Sequence, residues 1–147
     1  MESAMMEFFD ALVRYEVSLW AAVDQELGRL ELVGLGHLHA LRVLDRYDGS
    51  ARVQDLSDDI GITVGAVSKL VDRLERDGLV ARSPNPANRR SSLIALTATG
   101  RDALAAALQV ARSVVEAAVG VEDAQPLVAA LGRLQARLDR RRVGAVA

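Results

Sequence analysis

Two adjacent arginines, Arg89 and Arg90, are the residues of this chain that first suggest chemistry, and that chemistry is binding. They lie in the stretch from Ser83 to Ser92, whose two prolines and two asparagines mark a loop. For catalysis the chain offers little. No serine or threonine is visibly paired with a histidine, no glycine-rich phosphate loop follows a strand, and no metal-ligand spacing appears. We therefore expect no catalytic residue, no metal, no cofactor and no enzyme activity.

Charge is distributed unevenly along the chain. The 147 residues carry a net charge of −2, and the pI of about 5.7 by itself argues against nucleic-acid binding. Residues 1–31 hold seven acids and two arginines, whereas residues 61–90 hold six bases and three acids. One basic segment therefore lies within an acidic protein, and this asymmetry is more informative than the total charge.

Length and composition indicate one domain, or a small domain with helical extensions. Half of the residues are apolar, which is enough for a real core. The absence of cysteine excludes disulfides, thiol redox sensing and cysteine-based metal sites. The first ten residues carry acids where a signal peptide needs bases, and no apolar run approaches the roughly 18 residues of a membrane span. We therefore expect a cytoplasmic protein without membrane contact.

Hydrophobic spacing predicts six helices and one hairpin. The predicted helices cover about 5–30, 37–47, 54–60, 64–77, 98–119 and 123–142, and the predicted strands cover 79–83 and 92–96. Gly78 is the residue type that best ends a helix in a left-handed conformation. Thr97 is expected to cap the long alanine-rich helix after the hairpin. The expected fold class is mainly α with a small two-stranded sheet.

The segment from Val53 to Leu74 has the features of a helix-turn-helix, with Gly61 in the turn and Thr63 as a cap of the second helix. The residues expected to face inward are Leu56, Ile60, Ile62, Val67, Leu70, Val71 and Leu74. Those expected to face outward are Gly65, Ala66, Ser68, Lys69, Asp72 and Arg73. Small residues there let a helix approach base edges, and hydroxyl and ammonium groups can bond to bases or phosphates. These two helices alone favour DNA binding and an ordinary helix pair equally.

The hairpin that follows favours DNA binding over an ordinary helix pair. A helix-turn-helix followed directly by a short hairpin with a basic tip is a winged helix, in which the tip, or wing, can reach the groove beside the recognition helix. Six motifs in order now resemble the multiple-antibiotic-resistance regulator (MarR) family: Asp55-Leu-Ser57, Ile62-Thr63, Ala66 to Glu75, Asp77-Gly-Leu-Val80, Asn85 to Arg90 and Leu96 to Gly100. The resemblance covers about residues 35–105.

The resemblance implies a winged helix-turn-helix with a small two-stranded β-wing, flanked by dimerisation helices. It predicts an N-terminal dimerisation helix in residues 1–34, a DNA-binding domain in 35–100 and C-terminal dimerisation helices in 101–147. Such proteins are homodimeric transcription factors, usually repressors, that bind a pseudo-palindromic operator. They typically release DNA when a small molecule, often an aromatic acid, binds between the two regions.

The resemblance also assigns the DNA contacts to two elements. The recognition helix begins at Thr63, and the residues that it turns toward DNA are Gly65, Ala66, Ser68, Lys69 and Arg73. Arg89 and Arg90 fall on the wing arginines, of which the second enters the minor groove, where a narrow groove concentrates negative potential. Asn88 stands where an aspartate usually braces that arginine, so a looser wing is expected. Gly65 replaces a serine or alanine, and Gly36 replaces a threonine cap.

Three further residues, Tyr15, Trp20 and His39, are candidates for an effector site because the family's ligand cleft lies near them. Core or dimer packing is the alternative for Trp20. His37 and His39 point to different faces of a helix and cannot jointly hold a metal. A second hypothesis is a winged-helix protein-interaction module with weak or no DNA binding. The acidic total charge, Gly65 and Asn88 motivate it.

Overall fold

The computed structural model of the protein describes residues 3–144, which form six helices and a two-stranded sheet. The helices are α1 (Ala4–Arg29), α2 (Leu35–Tyr47), α3 (Val53–Ile60), α4 (Val64–Arg76), α5 (Ala98–Val119) and α6 (Val121–Gly144). The strands β1 (Val80–Pro84) and β2 (Ser92–Leu96) pair antiparallel between α4 and α5. The predicted fold class, a mainly α winged helix-turn-helix with a two-stranded β-wing, is confirmed.

The start of α2 lies two residues before the predicted position, and the reason is a contact from another helix. Asp24 on α1 accepts a hydrogen bond from the backbone N–H of Leu35 at 2.8 Å. Gly34, the residue before α2, supplies no side-chain cap itself. Gly36, expected at the cap position, lies inside the helix. A carboxylate from α1 therefore replaces the missing threonine and satisfies one of the free donors of this helix N-terminus.

The core lies where α2, α3, α4 and the sheet meet. Leu41, Leu56, Leu74 and Ile94 are fully buried there, and the same core extends to Leu27 of α1 and Leu104 of α5. Each such side chain contributes about 1.5–3 kcal/mol through the removal of apolar surface from water. The N–H of Ile94 also donates to the carbonyl of Ala51 at 2.8 Å, so β2 is attached to the α2–α3 connection as well as to β1.

The junction between the hairpin and α5 is closely packed. The Thr97 hydroxyl accepts from the N–H of Gly100 at 3.0 Å, which makes it the predicted cap of α5, and it donates to the carbonyl of Gly78 at 2.6 Å. A Cβ atom at Gly100 would overlap the carbonyl oxygen of Leu79. Only glycine therefore lets the first turn of α5 lie against the segment that leads into β1.

The outer face of α1 and most of α6 expose apolar side chains. The large exposed ones in these helices include Met5, Phe8, Phe9, Val17, Trp20, Val121, Leu127, Val128, Leu131 and Leu138. Within the described part of the chain no single helix is long and apolar enough to cross a membrane. Only α5 and α6 taken together, a pair bent by 91°, have that length and composition.

Candidate nucleic-acid interface

The turn between α3 and α4 is fixed by three local features. Gly61 takes the left-handed conformation, with φ of 80°, which a residue with a side chain adopts only with strain. The Ser57 hydroxyl donates to the carbonyl of Ile62 at 2.6 Å, and the Thr63 hydroxyl accepts from the N–H of Ala66 at 3.1 Å. The N-terminus of α4 therefore begins at a defined place. Ile62 itself is 38% exposed, so its predicted inward position was wrong.

Helix α4 presents the predicted face to solvent. Burial of Val67, Leu70, Val71 and Leu74 fixes its rotation about its own axis. The residues that this rotation leaves exposed include Thr63, Gly65, Ala66, Lys69, Asp72 and Arg73, and Ser68 is half-buried. No large side chain stands on the first turn of this face apart from Val64. The N-terminus of α4 also faces outward. Its free backbone N–H groups and the positive end of the helix dipole favour binding of a phosphate there.

The wing is ordered by two asparagines. Asn85 is buried; its amide donates to the Ser91 hydroxyl at 2.9 Å, and its side-chain oxygen accepts from the N–H of Ala87 at 3.0 Å. The side-chain oxygen of Asn88 accepts from the N–H of Arg90 at 3.0 Å. The residue that replaces the expected aspartate thus braces the backbone of Arg90. The sequence pattern did not identify Asn85, because an asparagine beside a proline in a loop indicates only a turn.

The wing arginines keep their charge available. Arg89 and Arg90 are both exposed, and neither forms an ion pair with any residue in the range 3–144. Arg82 on β1 differs, because its guanidinium contacts Asp72 at 2.8 Å and Glu75 at 3.1 Å, both on α4. The six bases counted in residues 61–90 therefore overstate the positive charge available to a partner, because Arg82 is one of them. Its two acidic contacts lie at i and i+3 on one face of α4, a spacing that is visible in the sequence.

The first helix of the helix-turn-helix is held at its N-terminus by an ion pair. The Asp55 carboxylate accepts from the backbone N–H of Arg52 at 2.8 Å and from its guanidinium at 2.8 and 3.0 Å. These hydrogen bonds keep the pKa of Asp55 below its ordinary value, although partial burial acts in the opposite direction. The same contact raises the pKa of Arg52. At neutral pH the pair is therefore fully charged and anchors α3.

A cleft of about 290 Å³ opens between α1, α2 and α5. Of the predicted effector residues, Trp20 and His39 line it, whereas Tyr15 lies outside and donates its hydroxyl to the Ala118 carbonyl at 3.3 Å. The remaining lining residues are Glu16, Leu19, Val23, Leu35, Leu38, Arg42, Leu108, Ala111 and Val115. Arg42 and Glu16 give this mostly apolar cleft one charge of each sign. No group of three or more possible metal ligands is found in residues 3–144.

An outward helix whose exposed first turn carries mostly small residues stands beside a hairpin whose tip carries two exposed arginines. Together they define the class of the protein, a winged helix-turn-helix. Comparisons with known proteins then show what the chain is similar to. Residues 35–92 match the model of the MarR family. The matched range is less than half of the chain, and it contains the whole helix-turn-helix and the wing loop.

A curated relative also matches part of the chain. The HTH-type transcriptional regulator YfiV of Bacillus subtilis (strain 168), itself uncharacterized, is 29% identical over 82 residues. The match covers 56% of this chain and 46% of that protein, so it spans less than half of the relative's length.

Two solved structures show the same fold. A mutant MarR from E. coli in complex with operator DNA superposes with a TM-score of 0.78 at 17% identity, over 88% of this chain and 94% of that one. BpsR from Bordetella bronchiseptica, whose DNA binding is regulated by 6-hydroxynicotinic acid, gives 0.75 at 22% identity, over 88% and 98% of the two chains. At these identities the likeness establishes the fold.

Proposed function

We propose that the protein is a homodimeric DNA-binding transcriptional regulator that acts as a repressor on a pseudo-palindromic operator. The observation that carries this proposal is the pairing of two elements suited to adjacent grooves. Helix α4 offers Gly65, Ala66 and Lys69 for a major groove, and the wing offers Arg90 for the minor groove beside it. The E. coli MarR of the same fold is bound to operator DNA. The place of action is then the cytoplasm.

Dimerisation is supported by the exposed apolar surface of the flanking helices. Leu127, Val128, Leu131 and Leu138 on α6 are all at least 48% exposed. Contiguous apolar surface of this kind marks an interface with a partner. A second copy of the chain is the partner that suits a palindrome, because a two-fold axis repeats both the protein surface and the DNA half-site. The two recognition helices are then expected about 10 base pairs apart.

The decisive experiment is a selection of bound duplexes from a random pool, followed by affinity measurements on the selected sequence. We expect a pseudo-palindrome, and binding that weakens steeply as salt rises because bound counterions are released. A pool that shows no enriched sequence would contradict operator recognition. Such a result would favour the other hypothesis, a winged-helix interaction module.

A wing variant tests the role of Arg90 within that experiment. Arg90→Ala is expected to lower affinity for the selected duplex by about 1–3 kcal/mol, the usual size of one good base-edge or groove contact. Arg76→Ala is the matched control, since it removes the same charge from an exposed position near the C-terminus of α4. Equal affinity of the Arg90 variant and the native protein would show that the wing does not bind DNA.

We extend the proposal to a small aromatic or phenolic effector in the cleft between α1, α2 and α5. Trp20 and His39 offer stacking and hydrogen-bonding surfaces there, whereas the contact of Tyr15 with α5 favours a structural role for that residue. Trp20 is the single tryptophan of the chain, so its fluorescence reports on the cleft directly. We expect quenching by aromatic acids in a titration, with weaker binding in Arg42→Gln. If an aromatic acid releases DNA but leaves the Trp20 fluorescence unchanged, the effector binds outside this cleft.

A further inference from the structure

Arg82 links the two elements that the proposed function requires to act together. Its guanidinium contacts the carboxylates of Asp72 at 2.8 Å and Glu75 at 3.1 Å. Its backbone N–H also donates to Glu75 at 3.2 Å. One residue of β1 is therefore attached to α4 through both its main chain and its side chain. Asp72 and Glu75 stand one helical turn apart on α4, so the two carboxylates meet the fork of one arginine.

The position of Arg82 in the hairpin makes this attachment effective. Arg82 is the middle residue of β1, and its partner on β2 is Ile94, which is fully buried. The buried side of the hairpin is thus held by the core, and the side next to α4 is held by the Arg82 contacts. The wing loop starts at Asn85, three residues further on. A rotation of the strand about its core contact would therefore displace the loop and its arginines.

The side chain of Arg82 is only 27% exposed, and both of its acidic partners are already satisfied by it. An arginine in this state is poorly placed to contact DNA phosphates. We propose that Arg82 is a positioning residue, which ties β1 to the recognition helix through Asp72 and Glu75 and so sets where Arg89 and Arg90 are presented. The minor groove is about 6 Å wide, so an error of a few ångströms in the wing removes its contact.

This inference rests on the proposed DNA-binding function, and the experiment separates the two. The native protein is first titrated with its selected duplex, and a failure there would overturn both. Arg82→Gln is then expected to weaken binding roughly tenfold or more, because a displaced wing loses its contact in the minor groove. Arg76→Gln, which removes a charge from α4 without breaking any ion pair among residues 3–144, is expected to change affinity much less. If Arg82→Gln and Arg76→Gln lose the same affinity for the duplex, the role of Arg82 is overturned and the DNA-binding function is not.

A triple variant distinguishes positioning of the wing from a second explanation. In that explanation, which we call screening, Arg82 only neutralises two carboxylates that would otherwise repel DNA phosphates. Arg82→Gln combined with Asp72→Asn and Glu75→Gln breaks the tie but removes two negative charges and one positive charge. Positioning predicts that binding stays weak. Screening predicts recovery to at least the native affinity, and that result would overturn the proposal. Arg82→Lys is expected to keep part of the affinity, because an ammonium can contact one carboxylate but lacks the fork that holds two.

Hydrogen exchange of the free protein supplies a readout without DNA. Arg82→Gln is expected to speed exchange of the amides in residues 82–92 severalfold, while those of the buried face of α4, near Val71, exchange as in the native protein. Uniformly faster exchange would show general destabilisation instead of a loosened wing and would count against positioning. Exchange identical to that of the native protein throughout would also overturn it.

Discussion

Gly100 is the residue on which the junction between the wing and α5 depends most directly. A Cβ atom there would overlap the Leu79 carbonyl oxygen, which is backbone and can move only with the strand that follows it. We expect Gly100→Ala to lower the free energy of unfolding by about 1–3 kcal/mol or more, as overpacking does. Denaturant unfolding measures this.

Gly65→Ala is the matched control for Gly100→Ala. Nothing lies within 4 Å of a Cβ at Gly65, and alanine is the better helix former by up to about 1 kcal/mol. We therefore expect Gly65→Ala to stabilise the protein slightly. If Gly100→Ala were as stable as Gly65→Ala, the close approach of α5 to β1 would be refuted.

Asp55 gives the fold an acid-sensitive contact. Its pKa is lowered from the ordinary 3.8, chiefly by the hydrogen bonds from Arg52. A carboxyl with a lowered folded-state pKa stabilises the fold at pH values above its unfolded pKa. That contribution is lost as pH falls through the folded value. We expect Asp55→Asn to cost about 1 kcal/mol at pH 7, the usual worth of a helix cap, and the difference from the native protein to shrink below about pH 4. A difference that stays constant from pH 7 to pH 3 would contradict this role.

Local residues that control the backbone were predictable from sequence, whereas residues that act through distant partners were not. Gly78 has a positive φ of 73°, and Thr97 caps α5, because both effects depend on neighbours within a few positions. The pairing of Arg82 with Asp72 needs the hairpin to fold back onto α4. The burial of Asn85 likewise depends on the completed loop. The predicted DNA-contacting residues therefore lie on the expected elements, but the contacts that orient those elements appear only in the folded chain.

At the scale of elements, the contact between α1 and α2 joins the flanking helix to the winged domain. The Asp24 carboxylate caps α2 across eleven positions of sequence, and the cleft lined by Trp20 opens between the same two helices. A ligand that separates the helices would act against this cap. The predicted boundary of α2 differed from the observed one for the same reason, since a cap supplied by another helix leaves no local pattern.

Asp24→Ala tests the connection between these helices. Removing the carboxylate leaves the Leu35 N–H without its partner, so we expect a loss of about 1 kcal/mol in stability. We also expect faster hydrogen exchange at residues 35–38 than elsewhere in α2. Asp10→Ala is the control, as this residue is exposed on the same helix and forms no side-chain hydrogen bond with residues 3–144. Equal exchange in the two variants would show that α1 does not cap α2.

At the scale of the whole molecule, apolar side chains are buried in the winged domain and exposed on much of the flanking helices. One core joins α2, α3, α4 and the sheet with residues of α1 and α5, whereas α6 exposes Leu127, Leu131 and Leu138. A chain built in this way is expected to be stable as a dimer and unstable as a monomer. Under the proposed function, we expect the affinity for DNA to depend on dimerisation, because two half-sites bound together gain from effective concentration.

Leu131→Glu on α6 tests this dependence. A carboxylate at the centre of an apolar interface must be desolvated without a partner, so sedimentation at micromolar concentration should show dissociation or unfolding. Affinity for the palindrome should fall at least tenfold, toward that for a single half-site. Gln125→Glu adds the same charge to an exposed polar position of the same helix and should leave both properties nearly unchanged. A Leu131→Glu variant that sediments as a folded dimer would exclude this part of α6 from the interface. A native protein that sediments as a stable, folded monomer and still binds the full palindrome tightly would refute the dimeric arrangement altogether.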